Sequence, residues 1–275
     1  MSRDDNGGSI GRRRVLKGLS SVTAASAIGT TVVSGGPKND FDRLEEEFKR
    51  DVRRARHIRE QSEDHSRFVE YLRNKGYGIG STTTLSRFPT EYANGPSTQR
   101  LDPKDDSELR ASISIVDWHY RCSSEPSKTY VEYYFEWDVD SGFGEPYRDS
   151  FGMGWPAQSF EYNEDSHESS GNVSFYRRAN GLNGVSFKYR DNNLSNPDYD
   201  DGYGGCYLRV GEDGYSSETT FAGEYAHTYN KTSVCGYSVS SSGDISYNVC
   251  ANQRVEYGGY TQTDHSETDH NYNNC

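Results

Sequence analysis

From residue 109 onward the chain alternates. Val131, Tyr133, Phe135, Trp137 and Val139 are interleaved with Glu132, Tyr134, Glu136, Asp138 and Asp140. Successive side chains of a strand point to opposite faces, so this period of two marks a strand with one buried face. Shorter runs of the same kind follow at 173–176, 185–189, 207–210, 221–229, 237–249 and 255–260, separated by Gly, Asn, Asp and Ser clusters that read as turns. No helical spacing interrupts them. The fold class is therefore mainly β, a β-sandwich or jelly roll of about ten strands preceded by a helical segment. No repeat of 20 to 50 residues is visible.

The helical segment precedes the alternation. Phe41, Leu44, Phe48, Val52, Ala55 and Ile58 recur at spacings of three and four, Asn39 or Asp40 can cap the start, and Gly76 can close the end. The stripe turns polar across 62–66, which fits two helices or one kinked helix. Arg50, Arg53, Arg54, Arg56 and Arg59 suggest a phosphate-binding stripe at first sight. Residues 42–60, however, hold seven basic and six acidic groups, the balance of a salt-bridged solvent face. The segments expected are 1–36 as an export leader, 37–77 as helix, 78–108 as linker, 109–263 as β-sandwich and 264–275 as a polar tail.

The leader explains why an acidic chain begins with Arg12, Arg13 and Arg14. These are followed by Val15, Leu16, Lys17 and a mildly apolar, small-residue run over 19–33. At 15 residues that run is shorter than the ~20 needed to span a bilayer. The order resembles a twin-arginine export signal, with Arg12 and Arg13 as the pair, Val15 and Leu16 as the apolar residues and Lys17 as the cation. The resemblance implies that an export translocase is the partner of this segment and that the mature protein is extracellular or held at the cell surface. Cleavage is expected between Ala27 and Pro37. No cysteine lies near it for a lipid anchor, and no later run is long enough to span a membrane.

The whole chain has 30 Lys and Arg against 42 Asp and Glu, a net charge of -12. Residues 1–35 contain five basic and two acidic groups, so the remainder carries 25 against 40, or -15. Such a surface repels nucleic acid. The 22 Arg and 8 Lys, with this acidity and this leader, resemble exported proteins of salt-loving archaea, whose dense carboxylates keep the surface hydrated. The stretches 132–155, 183–191 and 223–230 resemble landmarks of a group of exported, uncharacterised β proteins. That resemblance implies a shared fold and no assigned activity.

Five cysteines in an exported chain favour disulfides. A two-residue turn at Ser242-Gly243 would set Cys235 directly opposite Cys250, the first candidate pair. Cys122 with Cys206 is the second, which leaves Cys275 over. Asn172, Asn193 and Asn230 stand in glycosylation sequons. No cofactor is expected. Asp138, Asp140 and Asp149 occupy positions one, three and twelve of a calcium-loop count, but Phe143 stands where the sharp turn needs Gly, so a solvated loop is the reading and calcium the alternative. The tail acids and histidines, Asp264, His265, Glu267, Asp269 and His270, match no rigid zinc spacing.

Glu136, Asp138 and Asp140 resemble the Glu-x-Asp-x-Glu strand of jelly-roll glucanases. That resemblance implies nucleophile, assisting acid and acid/base in turn, with an Asp departing from the pattern at the last position. The competing reading makes them the exposed face of a half-buried strand. His119 and His227 read as structural histidines, and no Gly-x-Ser-x-Gly elbow occurs. The sequence thus describes a secreted or surface-associated, non-catalytic β-sandwich that acts by binding. The alternatives are an exported glycoside hydrolase using the Glu136 strand, or an exported toxin with a helical pro-segment.

Overall fold

The computed structural model describes residues 40–88, 107–118, 128–138, 148–190, 199–210, 219–228, 233–250 and 255–265. The leader residues Arg12, Arg13, Val15, Leu16 and Lys17, together with Cys122, Asp140, Asn193, Asn230 and Cys275, lie outside them.

The helical segment forms two helices, α1 (Asp40–Ser62) and α2 (His65–Asn74). Glu63 takes a left-handed φ of 52°, and Asp64 caps α2 by accepting the Ser66 N–H at 2.8 Å. At the far end Gly76, with φ 88°, allows the Gly76 N–H to reach the Arg73 carbonyl and the Tyr77 N–H to reach that of Leu72. This is the paired bonding of a left-handed helix stop.

Twelve strands follow among the described residues: β1 (Gly78–Phe88), β2 (Ser107–Trp118), β3 (Lys128–Asp138), β4 (Arg148–Gly154), β5 (Phe160–Ser169), β6 (Val173–Arg178), β7 (Gly184–Arg190), β8 (Tyr199–Val210), β9 (Thr219–Thr228), β10 (Ser233–Val239), β11 (Ile245–Cys250) and β12 (Val255–His265). One sheet runs β1-β2-β3-β8-β5, a second runs β12-β9-β4-β7-β6, and β10-β11 is a separate hairpin. All pairings are antiparallel. The two large sheets face each other across one apolar core, as expected of a β-sandwich. Tyr133 and Phe135 of β3 lie against Phe151 of β4, with ring centroids 5.4 and 5.2 Å apart.

Part of the expected linker 78–108 is a strand. Residues 78–88 form β1, paired along its full length with β2. Its Thr- and Ser-rich sequence carries no apolar alternation because its side chains hydrogen-bond to the neighbouring strand. Thr83 meets Ser112 at 2.7 Å, and Ser81 meets Ser114 at 2.8 Å. β12 closes this side of the sandwich: the Gly259 N–H donates to Ser86 Oγ at 2.8 Å, while the Gly259 carbonyl accepts from Tyr133. Gly259 has φ 61°, and a Cβ there would come within 2.5 Å of the Tyr133 hydroxyl. This last strand extends to His265, two residues past the boundary expected from the sequence.

Both outer faces are covered. The helices lie on the first sheet through Phe48, Val52, Ala55, Phe68 and Leu72, which meet Ile79, Val116, Trp118, Tyr130 and Tyr207. The β10–β11 hairpin lies on the second sheet, where a Cβ on Gly184 would meet Val239 at 2.5 Å and the Met153 carbonyl at 2.7 Å. Cys235 and Cys250 are bonded, with Cα atoms 5.4 Å apart. The register differs from the expected one: the turn spans Ser240–Asp244, Tyr237 pairs with Tyr247, and a bulge between Val234 and Gly236 contains Cys235. Beyond the bulge Ser233 is the register partner of Cys250, so the disulfide joins Cys250 to the bulged residue and not to the one directly opposite.

Candidate functional site

The densest cluster of ionisable groups lies between α1 and the first sheet. On α1 the apolar series Phe48, Val52, Ala55 continues to Arg59, four residues on, with Arg56 beside it. Both arginines are buried, at 4% and 1% exposure, so they do not belong to the expected solvent face. Arg50, Arg53 and Arg54 do face outward. Beneath the buried pair is Glu132, in the middle of β3 and fully enclosed. Its Oε2 accepts from Arg56 Nε at 2.8 Å and from the Tyr130 hydroxyl at 2.8 Å, while its Oε1 accepts from Arg59 Nη1. Arg56 also donates to the Tyr130 hydroxyl and pairs with Glu168 of β5.

Aromatic faces complete the enclosure. The Arg59 guanidinium lies 4.1 Å from the Tyr134 ring centroid and 5.1 Å from that of Tyr203. Its Nε and Nη2 have no hydrogen-bond acceptor among the described residues, so the ring quadrupoles supply the compensation. His65, the first residue of α2, stacks on Tyr134 and Phe68 and meets Ser114 Oγ at 2.9 Å. Burial and the neighbouring Arg59 push its pKa down to about 4, which leaves it neutral at pH 7. Burial alone would raise the Glu132 pKa, but Arg59 and Arg56, with the Arg59 and Tyr130 hydrogen bonds, hold it at about 2.

Two surface grooves flank this cluster. One, of about 530 Å³, runs between α2 and β1 past His65, Val69, Arg73, Ser81 and Thr83. The other, of about 390 Å³, is bounded by Arg53, His57, Glu60, Glu168 and Tyr203. On the opposite sheet Glu224 is half-buried, and desolvation raises its pKa to about 7.

Glu136 is partly buried and lies 3.6 Å from Arg110, with Asp201 as its register partner on β8. The side chain of Asp138 and all of Asp140 lie outside the described residues. Asp149 is not placed to ligate calcium. It is buried, and its two oxygens accept from the Tyr225 hydroxyl, His227 Nδ1, the Thr228 N–H and the Thr228 hydroxyl at 2.8, 2.8, 2.8 and 3.2 Å. His227 is accordingly a hydrogen-bonded structural histidine. Cys206 is an unbonded thiol in the apolar core, which overturns the expected Cys122–Cys206 bridge. Asn172 sits partly exposed in the turn between β5 and β6. No group of three potential metal ligands occurs among the described residues.

No protein-family model and no curated protein matches the chain. Among solved structures it is similar to one described as a "Pore forming protein", with TM-score 0.33, 8% identity and coverage of 69% of this chain and 93% of the other. A Streptococcus parasanguinis Fap1 fimbrial structure gives TM-score 0.28 at 15% identity, covering 66% and 94%. The pilus backbone RrgB of Streptococcus pneumoniae gives 0.27 at 9% identity, covering 67% of this chain and 51% of that one. Likeness at this level assigns no function.

Removing one member of a buried ion cluster leaves the others uncompensated, typically at 3–5 kcal/mol. Glu132→Gln should therefore lower the urea-unfolding free energy by about 3 kcal/mol or more; a loss below about 1 kcal/mol would show that water or rearrangement satisfies the arginines.

Stability should also depend on pH through two opposed groups. His65, with its folded pKa below 6.5, contributes stability that is lost as pH falls from 6.5 through about 4. Glu224, raised above 4.5, contributes stability that is lost as pH rises from 4.5 through about 7. Between these limits the two slopes offset each other. Against a nearly flat wild-type profile, urea titrations across this range should show Glu224→Gln losing stability as pH falls and His65→Asn losing it as pH rises. Unchanged profiles in both variants would contradict the assignment.

Proposed function

We propose that the chain is an exported protein, secreted or held at the cell surface, that acts by binding and not by catalysis. One observation carries this reading: the two most enclosed carboxylates, Glu132 and Asp149, have both oxygens engaged by donors that fasten one layer or strand to the next. A carboxylate held this way has no free position from which to receive or deliver a proton to a substrate. The leader at Arg12 to Lys17 supports export by the twin-arginine route, and the Cys235–Cys250 bond suits an oxidising compartment. The -15 charge beyond the leader supports a habitat of high salt, where surface carboxylates hold water. No helix among the described residues is long and apolar enough to cross a membrane.

Glu136 offers the direct comparison with hydrolysis. It pairs with Arg110 at 3.6 Å on the central strand β3, between β2 and β8. The purified mature chain, screened against a panel of polysaccharides at low and high salt, should retain one or more of them without releasing reducing ends. Glu136→Gln should leave retention unchanged. Cleavage by the wild type that falls about a hundredfold in this variant, the scale of a lost acid/base catalyst, would replace the binding reading with the hydrolytic one.

A further inference from the structure

A carboxyl without a partner lies beside the hairpin on the second sheet. Phe221 and Tyr225 of β9 point into the sandwich core, so by alternation Glu224 points to the outer face. Its register partner on β4 is Gly152, where a Cβ would lie 2.5 Å from the Tyr237 ring and 3.1 Å from the Tyr247 hydroxyl, so the hairpin roofs that side. The Tyr247 hydroxyl also donates to the Glu224 carbonyl at 2.7 Å. On the other side β12 carries a bulge. Gly258 pairs with Tyr225 and Thr261 with Gly223, which leaves Gly259 and Tyr260 together opposite Glu224. Gly259 supplies the left-handed φ of 61° that such a bulge uses, and Tyr260 is turned outward at 45% exposure. The Gln262 amide donates to the Tyr260 hydroxyl and fixes the ring.

The Glu224 carboxyl receives no hydrogen bond and no ion pair from the described residues, unlike the fully engaged Glu132 and Asp149. Burial alone pushes its pKa up to about 7, with no donor or cation to lower it. The titratable groups around it are the phenols of Tyr133 on the core side, Tyr237 and Tyr247 of the hairpin and Tyr260 of β12, with the Asp244 carboxylate of the hairpin turn acting on the same Tyr260 ring. None of these can become a cation. What the position lacks is a positive donor, in a chain whose net charge of -12 attracts one. A hard metal ion is a poor match, since it takes about six oxygen ligands and no group of three potential metal ligands occurs among the described residues. An organic cation matches both elements: its N–H groups reach the carboxylate, and its carbon-bound flank covers the face of the ring.

We infer that Glu224 and Tyr260 form a site for an organic cation bearing N–H donors, an alkylammonium or guanidinium group. A free amine and a basic side chain of a partner protein share this chemistry. The inference rests on the reading of the chain as a binding protein and names a chemical class of ligand.

Titration of the mature chain with n-butylammonium and methylguanidinium, followed by NMR at the Glu224 and Tyr260 amides, tests it. Both probes stay charged throughout, an alkyl amine having a pKa of ~10.4. Affinity for each should rise about tenfold from pH 6 to pH 8, as Glu224 ionises through its pKa of about 7. Glu224→Gln should bind about tenfold more weakly or worse at pH 8 and lose the pH dependence. Tyr260→Ala should lose affinity severalfold yet keep the pH dependence, and Tyr260→Phe should restore most of it, since the ring face remains. Glu161→Gln, which removes an exposed acid of β5, should stay within about twofold of wild type. Tighter binding of a capped Gly-Lys-Gly peptide than of n-butylammonium, the same side chain set free, would support the site with a partner's lysine as the source; equal or weaker binding would support it with a free amine. Tetramethylammonium, which has no N–H, or n-butanol, which has no charge, binding as tightly as n-butylammonium would overturn the class of ligand. No binding by the wild type, or unchanged binding by Glu224→Gln, would overturn the site and leave the binding reading standing, whereas reducing ends released from a polysaccharide would sink the binding reading itself.

Discussion

A carboxylate with no access to water is stable as an anion only if cations and hydrogen-bond donors surround it, and the arrangement of the helices on the sandwich follows from that requirement at Glu132. Its two oxygens bind Arg56, Arg59 and Tyr130. Arg59 is in turn held against Tyr134 and Tyr203, and Arg56 against Glu168. A helix shifted by one turn, about 5.4 Å, would leave three buried charges unpaired. The apolar contacts of Phe48, Val52 and Ala55 supply the attraction but tolerate sliding, whereas the ion cluster selects one register. His65 extends that selection to α2, because its ring lies between Tyr134 of the sheet and Phe68 of its own helix.

The second sheet is organised by a comparable centre of smaller charge. Asp149 joins β4 to β9 through Tyr225, His227 and Thr228. Above this sheet the hairpin approaches so closely that Gly184 admits no side chain. Each outer face of the sandwich thus carries a layer fixed by specific polar or steric contacts in addition to apolar burial. At the β6–β7 edge the hairpin is tied down through its disulfide-bonded end, where the Tyr176 hydroxyl donates to the Cys235 carbonyl.

The sandwich was legible because its strands obey a simple period. Val131, Tyr133, Phe135 and Trp137 are buried in the core as their alternation requires. The same alternation misleads about the other face: Glu132 and Tyr134 read as solvent-facing, yet helices cover them, and no period of two can reveal what packs on the second side. The helical stripe contained the missing sign. Arg59 falls four residues after Ala55, at a position the apolar series would fill, so a buried cation was implied there and with it a buried anion elsewhere. β1 is not legible from the sequence because a Thr- and Ser-rich edge strand has no apolar face to display. The Cys235–Cys250 pair was legible from spacing, while its bulge was not, since the turn at Ser240–Asp244 is set by the Asp244 carboxylate accepting from Ser240 and Ser242.

Helices α1 and α2 are integral to the sandwich, fixed through Glu132, and not an appended segment. Native-state hydrogen exchange measured against increasing urea tests it most directly. The amides of α1 around Val52 to Arg59 should exchange with the same free energy and denaturant dependence as those of β3 around Glu132, because the helices come off only when the sheet opens. Exchange of the α1 amides through a separate opening, several kcal/mol below that of β3 and insensitive to urea, would contradict it.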